Sequence, residues 1–325
     1  MNTFVEIGGG EFEEAAEKPR SAPFHFAMQA LRWGVPVILL GFIGHQLASI
    51  GWLEIWRAKP TALSFYLLVL VPFFVQPVAD LLIYRNLWKV EKALPLSIFL
   101  RKRYLNAMVL DYSGEAYFYF WAQHRLNLEK TALLHAIKDS NILSAGAGLA
   151  MVWLVLLLLS ASGGITPPTF FSTHLWTSIV IASLPLMFCL ILVFGGRKVT
   201  TLNRQQIAST FTIHLLRSAI ALVLQFGIWW LSGALPTAIA CLYFVALRLL
   251  ISRLPLLPNK DLLFVGTGIA AASFLTLSTE AVAAVLMITI AVDQLLGFLL
   301  VGMPWLLGRF SFSRTQNHEN ASAVR

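Results

Sequence analysis

Charge is scarce in this chain of 325 residues. Asp, Glu, Lys and Arg together make up 12%, against roughly 25% in a soluble domain. So small a share excludes an ordinary soluble fold. Cysteine is scarcer still. Cys189 and Cys241 are the only two; both fall in apolar runs, and neither a disulfide framework nor a metal site follows. HExxH, GxSxG and the P-loop pattern Gly-x-x-x-x-Gly-Lys are all missing. No pair of carboxylates has a spacing suited to acid–base work. No enzymatic activity, cofactor or bound metal is expected. Positions 1–30 hold five Glu and a Gly8-Gly9-Gly10 run but no apolar stretch. They lack the form of a cleavable signal peptide and read as a flexible tail.

What is present is apolar sequence. Hydrophobic residues reach 58%, and several runs approach the ~20 residues needed to cross hydrocarbon. The pattern predicts an all-α polytopic membrane protein of about eight transmembrane helices plus re-entrant or interfacial helices. The expected spans are 33–53, 61–84, 143–162, 174–195, 207–231, 235–252, 262–279 and 282–306. The seventh is the weakest, since ~18 residues at 1.5 Å rise give only about 27 Å. This divides the chain into a cytoplasmic tail (1–30), a transmembrane domain (31–310) and a second cytoplasmic tail (311–325).

Charge sets the expected orientation. The net charge is +8, but the basic residues flank spans, as the positive-inside rule and anionic lipid require, so nucleic acid is excluded as a partner. "SGGITPPTFFST" (162–173) and "SGALP" (232–236) carry no charge, whereas 85–138 and "RKVTTLNR" (197–204) are basic. Of the 24 Lys and Arg, Arg57 and Lys59 fall outside and Arg217 and Arg248 within spans. Both termini are therefore expected in the cytoplasm, in a cell inner membrane.

The connection 85–142 exceeds the roughly 12–15 residues beyond which loops usually carry structure or function. Arg85 and the cluster Arg101-Lys102-Arg103, beside Trp88, Leu94, Leu96, Phe99 and Leu100, suit helices at the lipid head groups. Next comes "VLDYSGEAYFYFWAQHRL" (109–126), whose aromatic part is too short to cross. Glu115 stands in the first turn of a helix, where a carboxylate favours the positive end of the dipole. The segment is either re-entrant, which implies a cavity, or interfacial.

Ionisable residues inside spans usually face protein or water. Gln76 and Asp80 share a face of the second span, with Pro77 between them. His214 and Arg217 share a face of the fifth; the arginine fork suits phosphate. Asp293 is the deepest acid, expected to pair with Arg217 or Arg248 or to titrate. His45-Gln46 suit interhelical hydrogen bonds, and Arg248 is expected to snorkel.

From Asp80 to about Leu158 the chain resembles the transmembrane region of the lysylphosphatidylglycerol synthase family, the flippase-like integral membrane proteins. The resemblance rests on "YRNLW" (84–88), "YLNAMVLDYSGEAYFYFWAQHRL" (104–126) and "AIKDSNILS" (136–144). Asn106 and Gly114-Glu115 match a family element, with Asp111 where proline is common. "RLPLLPNKDLLF" (253–264) resembles a second element, with Asn259-Lys260-Asp261 in place of its glycines. The resemblance implies movement of a phospholipid or other lipid-linked polar head group between leaflets, and the polar residues expected to line a groove for it are Glu115, Arg217, Asp80, Asp293, Asp111 and His214. The family's synthase activity resides in an added C-terminal domain and is not expected. Expected partners are membrane lipids: anionic or aminoacylated phospholipid, or polyprenyl phosphate. The alternative is a non-catalytic scaffold or assembly subunit of a cell-envelope or photosynthetic membrane complex, with protein partners in the membrane. The two halves share a layout, which predicts that the elements around Gly114-Glu115 and Pro258-Asp261 meet.

Overall fold

The computed structural model describes residues 37, 38, 40–89, 94–108, 112–126, 128–163, 200–254 and 260–304. The described residues form helices joined by short turns, with no strand among them. In chain order the helices are α1 (40–50), α2 (Trp52–Arg57), α3 (Leu63–Leu70), α4 (Pro72–Trp88), α5 (Leu96–Met108), α6 (Ser113–Arg125), α7 (Lys130–Ala161), α8 (Arg204–Ser232), α9 (Ala238–Ser252), α10 (Lys260–Phe274) and α11 (Thr279–Gly297). A π-helical turn, Phe298–Gly302, prolongs α11.

Four helical segments are long and apolar enough to cross a membrane: Leu63–Trp88, Lys130–Ala161, Arg204–Ser232 and Thr279–Gly302. They correspond to the second, third, fifth and eighth expected spans. The third starts at Lys130, well before the expected position 143. The polar stretch "AIKDSNILS" is thus the foot of that helix, not a separate element. Asp139, completely buried in this foot, accepts hydrogen bonds through Oδ2 from Thr200 Oγ1 (2.9 Å), Thr201 N (2.8 Å) and Thr201 Oγ1 (3.0 Å). That clasp fixes where the chain enters α8. Asn203 and Gln206 then form a reciprocal capping box at the start of α8. The fourth expected span, with Cys189, lies outside the described residues.

The sixth and seventh expected spans have a different form. The described parts of α9 and α10 have 15 residues each, about 22 Å at 1.5 Å per residue, against the ~30 Å of a hydrocarbon core, so these two expected spans are not confirmed among the described residues. They pack together as a helical hairpin; Ser252, Arg253, Leu254 and Lys260 are the described residues nearest its tip. Arg253 beside this tip lies against Gly148, near the middle of α7. Ile251, Ser252 and Lys260 share a cavity with Gln76, itself halfway along the span Leu63–Trp88. The described residues at the tip therefore stand about halfway along two of the long helices.

α5 and α6, the first hairpin in chain order, enter from the end opposite to the second, α9–α10. α5 climbs antiparallel to α4. Phe99 meets Tyr84 (rings 6.0 Å apart), Lys102 meets Asp80 (2.8 Å) and Arg103 covers the Phe73 ring (4.3 Å). The contacts move about ten residues up α4, some 15 Å, so the described parts of α5 and α6 run along α4 rather than lying flat across the end of the bundle.

Aromatic packing seats this hairpin. Phe118 is completely buried, with ring centroids 4.6 Å from Tyr84, 5.1 Å from Phe99 and 5.2 Å from Trp88. Between helices in lipid, such van der Waals contact replaces the hydrophobic effect as the force of association. Each aromatic pair contributes about 0.5–1.5 kcal/mol beyond area burial. A larger aliphatic core joins α1, α3, α8, α9, α10 and α11, with Trp229, Phe244 and Leu286 fully buried.

Candidate functional site

The turn of the first hairpin is built from short polar contacts. Tyr112 takes φ 72° to reverse the chain, at a cost of about 1 kcal/mol or more for a residue with a side chain. Three bonds hold it there: Ser113 Oγ donates to the Leu105 carbonyl (2.8 Å), Gly114 N to Asn106 Oδ1 (2.6 Å), and Asn106 Nδ2 to Glu115 Oε2 (2.8 Å). Gly114 is required by contact. A Cβ there would run into the Lys102 carbonyl, and backbone of a packed helix cannot step aside. The matched pair Asn106 and Gly114-Glu115 is therefore the staple of the turn.

Glu115 belongs to a buried charge tetrad. Lys102 Nζ lies 2.8 Å from Asp80 Oδ2 and 3.3 Å from Glu115 Oε1. Arg217 Nη1 lies 3.9 Å from Asp80 Oδ1, and Arg217 Nη2 donates to Ser144 Oγ (2.9 Å). Lys102 and Asp80 are each 3% exposed, so this is an enclosed group of two cations and two anions. The Tyr84 and Phe118 rings, 5.5 and 5.9 Å from Lys102 Nζ, complete its surroundings.

Beside the tetrad is an open polar cavity of about 200 Å³. Arg103, Asn106 and Ala107 line it from the first hairpin; Arg248, Ile251, Ser252, Lys260 and Asp261 line it from the second; Gln76 and Asp293 come from the spans between. Two ion pairs stand in it. Arg103 Nη2 meets Asp293 Oδ1 at 2.5 Å, and Arg248 pairs with Asp261. Lys260 Nζ donates to the Ser252 carbonyl (3.3 Å). The cavity has room for a small polar head group, and its floor and roof are the two hairpin tips. A rigid-body shift of either hairpin would change its size.

Of the six residues expected to line a groove, the structure gathers Asp80, Glu115 and Arg217 around Lys102. Asp293 lies in the neighbouring cavity instead, paired with neither Arg217 nor Arg248 but with Arg103. His214, 2% exposed, shares a hydrogen bond with Ser140 Oγ (3.1 Å) through Nε2 and does not line the cavity. Asp111 lies outside the described residues. The basic cluster needs correction. Successive helical residues point about 100° apart, so only part of a run of three can face lipid. Lys102 is buried in the tetrad and Arg103 turns into the cavity; Arg101 donates to the Tyr117 hydroxyl (3.4 Å). Arg85 is exposed and leaves Asp80 to Lys102. Arg248, expected to snorkel, pairs with Asp261.

Sequence reasoning missed Lys102 as the hub, Arg103 as the partner of Asp293, and the cavity role of Arg248 and Lys260. A usable signal existed: each acid within a span needs a cation, and the nearest unassigned cations in the chain were those in the inserted elements. Among the described residues no group of three or more His, Cys, Asp or Glu is placed to hold a metal ion. Comparison with family models, curated proteins and solved structures found no match to this chain.

Proposed function

We propose that this protein is a flippase-like membrane transporter that moves a phospholipid or other lipid-linked polar head group between leaflets. The observation that carries the reading is the charged cavity at mid-height of the spans, between the tips of two opposed hairpins. Buried charge at that depth is costly unless paired or wet, and an inserted hairpin is tolerated where it lines a cavity. A head group in the cavity would exchange partners with the Arg103–Asp293 and Arg248–Asp261 pairs while its tails stay in lipid. In this reading the protein sits in a cell inner membrane with both termini cytoplasmic. Counting α9 and α10 as one hairpin rather than two of eight crossings removes two crossings at once, so the side of each terminus is unchanged.

The test is leaflet exchange of head-group-labelled phospholipid in proteoliposomes. Exchange should exceed that of empty vesicles. Arg103→Gln or Asp293→Asn should slow it about tenfold or more, the loss expected from one charge-assisted hydrogen bond of ~1.5–3 kcal/mol. Equal exchange in protein-containing and empty vesicles rejects the reading. The scaffold alternative draws support from the completeness of the ion pairing, since both acids of the cavity already hold an arginine. A stoichiometric protein partner without enriched lipid, seen by mass spectrometry after mild-detergent purification, would favour it.

A further inference from the structure

One group near the cavity differs from those that line it. Arg253, the residue after α9, lays its guanidinium against Gly148 of α7 and is exposed. Among the described residues that guanidinium has no hydrogen bond and no ion pair. Gly148 lies one turn beyond the polar foot of the 32-residue helix α7, at the start of its apolar part, where a cation without a counter-charge is costly. One turn earlier on the same face, Ser144 accepts from Arg217. Residues four apart on a helix lie about 6 Å apart along its axis, so two guanidinium groups are anchored side by side. The carboxylate nearest to Arg217 is Asp80 at 3.9 Å, and Asp80 is already held by Lys102 at 2.8 Å. The tetrad is balanced at two cations and two anions, so Arg253 beside it leaves this corner with one positive charge in excess, which a bound anion would offset.

We infer that Arg217 and Arg253, over the Ser144–Gly148 face of α7, form a binding site for the oxyanion of a phosphate ester. A planar guanidinium presents two parallel N–H groups that match phosphate oxygens, and two of them can hold one phosphate from both sides. The glycine is what opens the site: a Cβ at 148 would occupy the position of the Arg253 guanidinium. The site rests on the transport reading for its biological use, because it would hold the phosphate of a head group whose remainder enters the neighbouring cavity through Ser252. The same chemistry would accept a soluble phosphate.

The experiment uses the full chain, and binding is read separately from exchange. In nanodiscs containing equal amounts of phosphatidylglycerol, phosphatidylethanolamine and diacylglycerol, native mass spectrometry should find the two phosphodiester lipids retained. Arg253→Gln should reduce their retention relative to diacylglycerol about tenfold or more, a factor of ten being about 1.4 kcal/mol. Arg253→Lys, which keeps the charge but loses the fork, should fall in between, and Gly148→Leu should resemble Arg253→Gln by displacing the guanidinium. If Arg253→Gln is too unstable to purify, Arg253→Lys carries the same readout. In a second arm, inorganic phosphate is added to the detergent-purified protein and the unfolding temperature followed. A shift in the wild type that Arg253→Gln abolishes, with lipid retention unchanged, assigns the site to soluble phosphate. Unchanged retention and no phosphate-dependent shift in any variant overturn the site. Leaflet exchange that persists while retention shows no phosphate preference rejects this inference alone; phosphate-selective retention without exchange rejects only the transport reading.

Discussion

The two hairpins reach the same cavity from opposite ends of the bundle, yet they are held by different means. α5–α6 is polar and aromatic. Its tip is tied to the spans by the Asp80–Lys102–Glu115–Arg217 tetrad, and its flank is seated on Tyr84, Trp88 and Phe99 through Phe118. α9–α10 is apolar and small-residued. Gly266 and Gly268 let it close against α1 and α11, and the charged contacts seen at its tip are Arg248–Asp261 and the bond from Lys260 to Ser252. A hairpin held by enclosed charge moves only if several ion pairs break together. One held by apolar packing and a part-exposed pair has no enclosed charge network to break before it shifts. On the transport reading proposed above, this difference assigns the second hairpin as the moving wall of the cavity and the first as its fixed wall.

The largest effect should therefore come from the tetrad. Lys102→Met leaves Asp80 and Glu115 facing each other in an enclosed space with only Arg217 nearby. Breaking a buried pair by removing one partner costs about 3–5 kcal/mol. The lower end is expected, because Arg217 can draw closer to Asp80. A large drop in the detergent unfolding temperature checks it. The triple change Asp80→Asn, Lys102→Met, Glu115→Gln removes all three charges and should recover most of the loss, since uncharged replacement of a buried ion network is often neutral. If Lys102→Met were as stable as the wild type, the first hairpin could not be the fixed wall.

The same contrast explains what was legible in the sequence. The four long spans were readable because ~20 apolar residues have one meaning in a bilayer. The first hairpin was readable as something other than a span: Ser113-Gly114 and Glu115 interrupt an aromatic run too short to cross. The second was not readable as a hairpin. An apolar stretch as long as α9 or α10 satisfies hydropathy whether it crosses or turns back, and turning back depends on the distant partner of its tip. Pairings such as Arg103–Asp293, far apart in the chain, are equally invisible to spacing along one helix. Arg101-Lys102-Arg103 read as a surface cluster because composition does not say which face of an inserted helix each residue takes.

An intermediate effect is expected at the glycines. Gly114→Val would push a side chain into the Lys102 carbonyl and break the Asn106 staple; overpacking of this kind costs about 1–3 kcal/mol or more. Gly268→Ala meets the Leu286 Cδ1 methyl at 2.8 Å, the end of a side chain that can rotate, so about 1 kcal/mol or less is expected. Unfolding temperatures of the two variants side by side test the comparison; equal losses would remove it. Phe118→Leu belongs between them. It keeps an apolar group but gives up the ring contacts with Tyr84, Trp88 and Phe99, worth about 0.5–1.5 kcal/mol each where the geometry is good.

The smallest effect on stability should come from Arg248→Met. Its pair with Asp261 is part-exposed, with side-chain exposures of 36% and 24%, and such pairs contribute about 1 kcal/mol or less. The unfolding temperature should hardly move. Activity should respond in the opposite order. Arg248 stands at the tip of the movable hairpin, where a head group would exchange partners with Asp261, so its loss should slow leaflet exchange about tenfold in a protein that is otherwise intact. Lys102→Met and Arg248→Met then separate the two walls: the first acts through stability, the second lowers exchange alone. Should Arg248→Met leave exchange untouched while Arg103→Gln abolishes it, the assignments reverse, and the first hairpin becomes the wall that handles the head group.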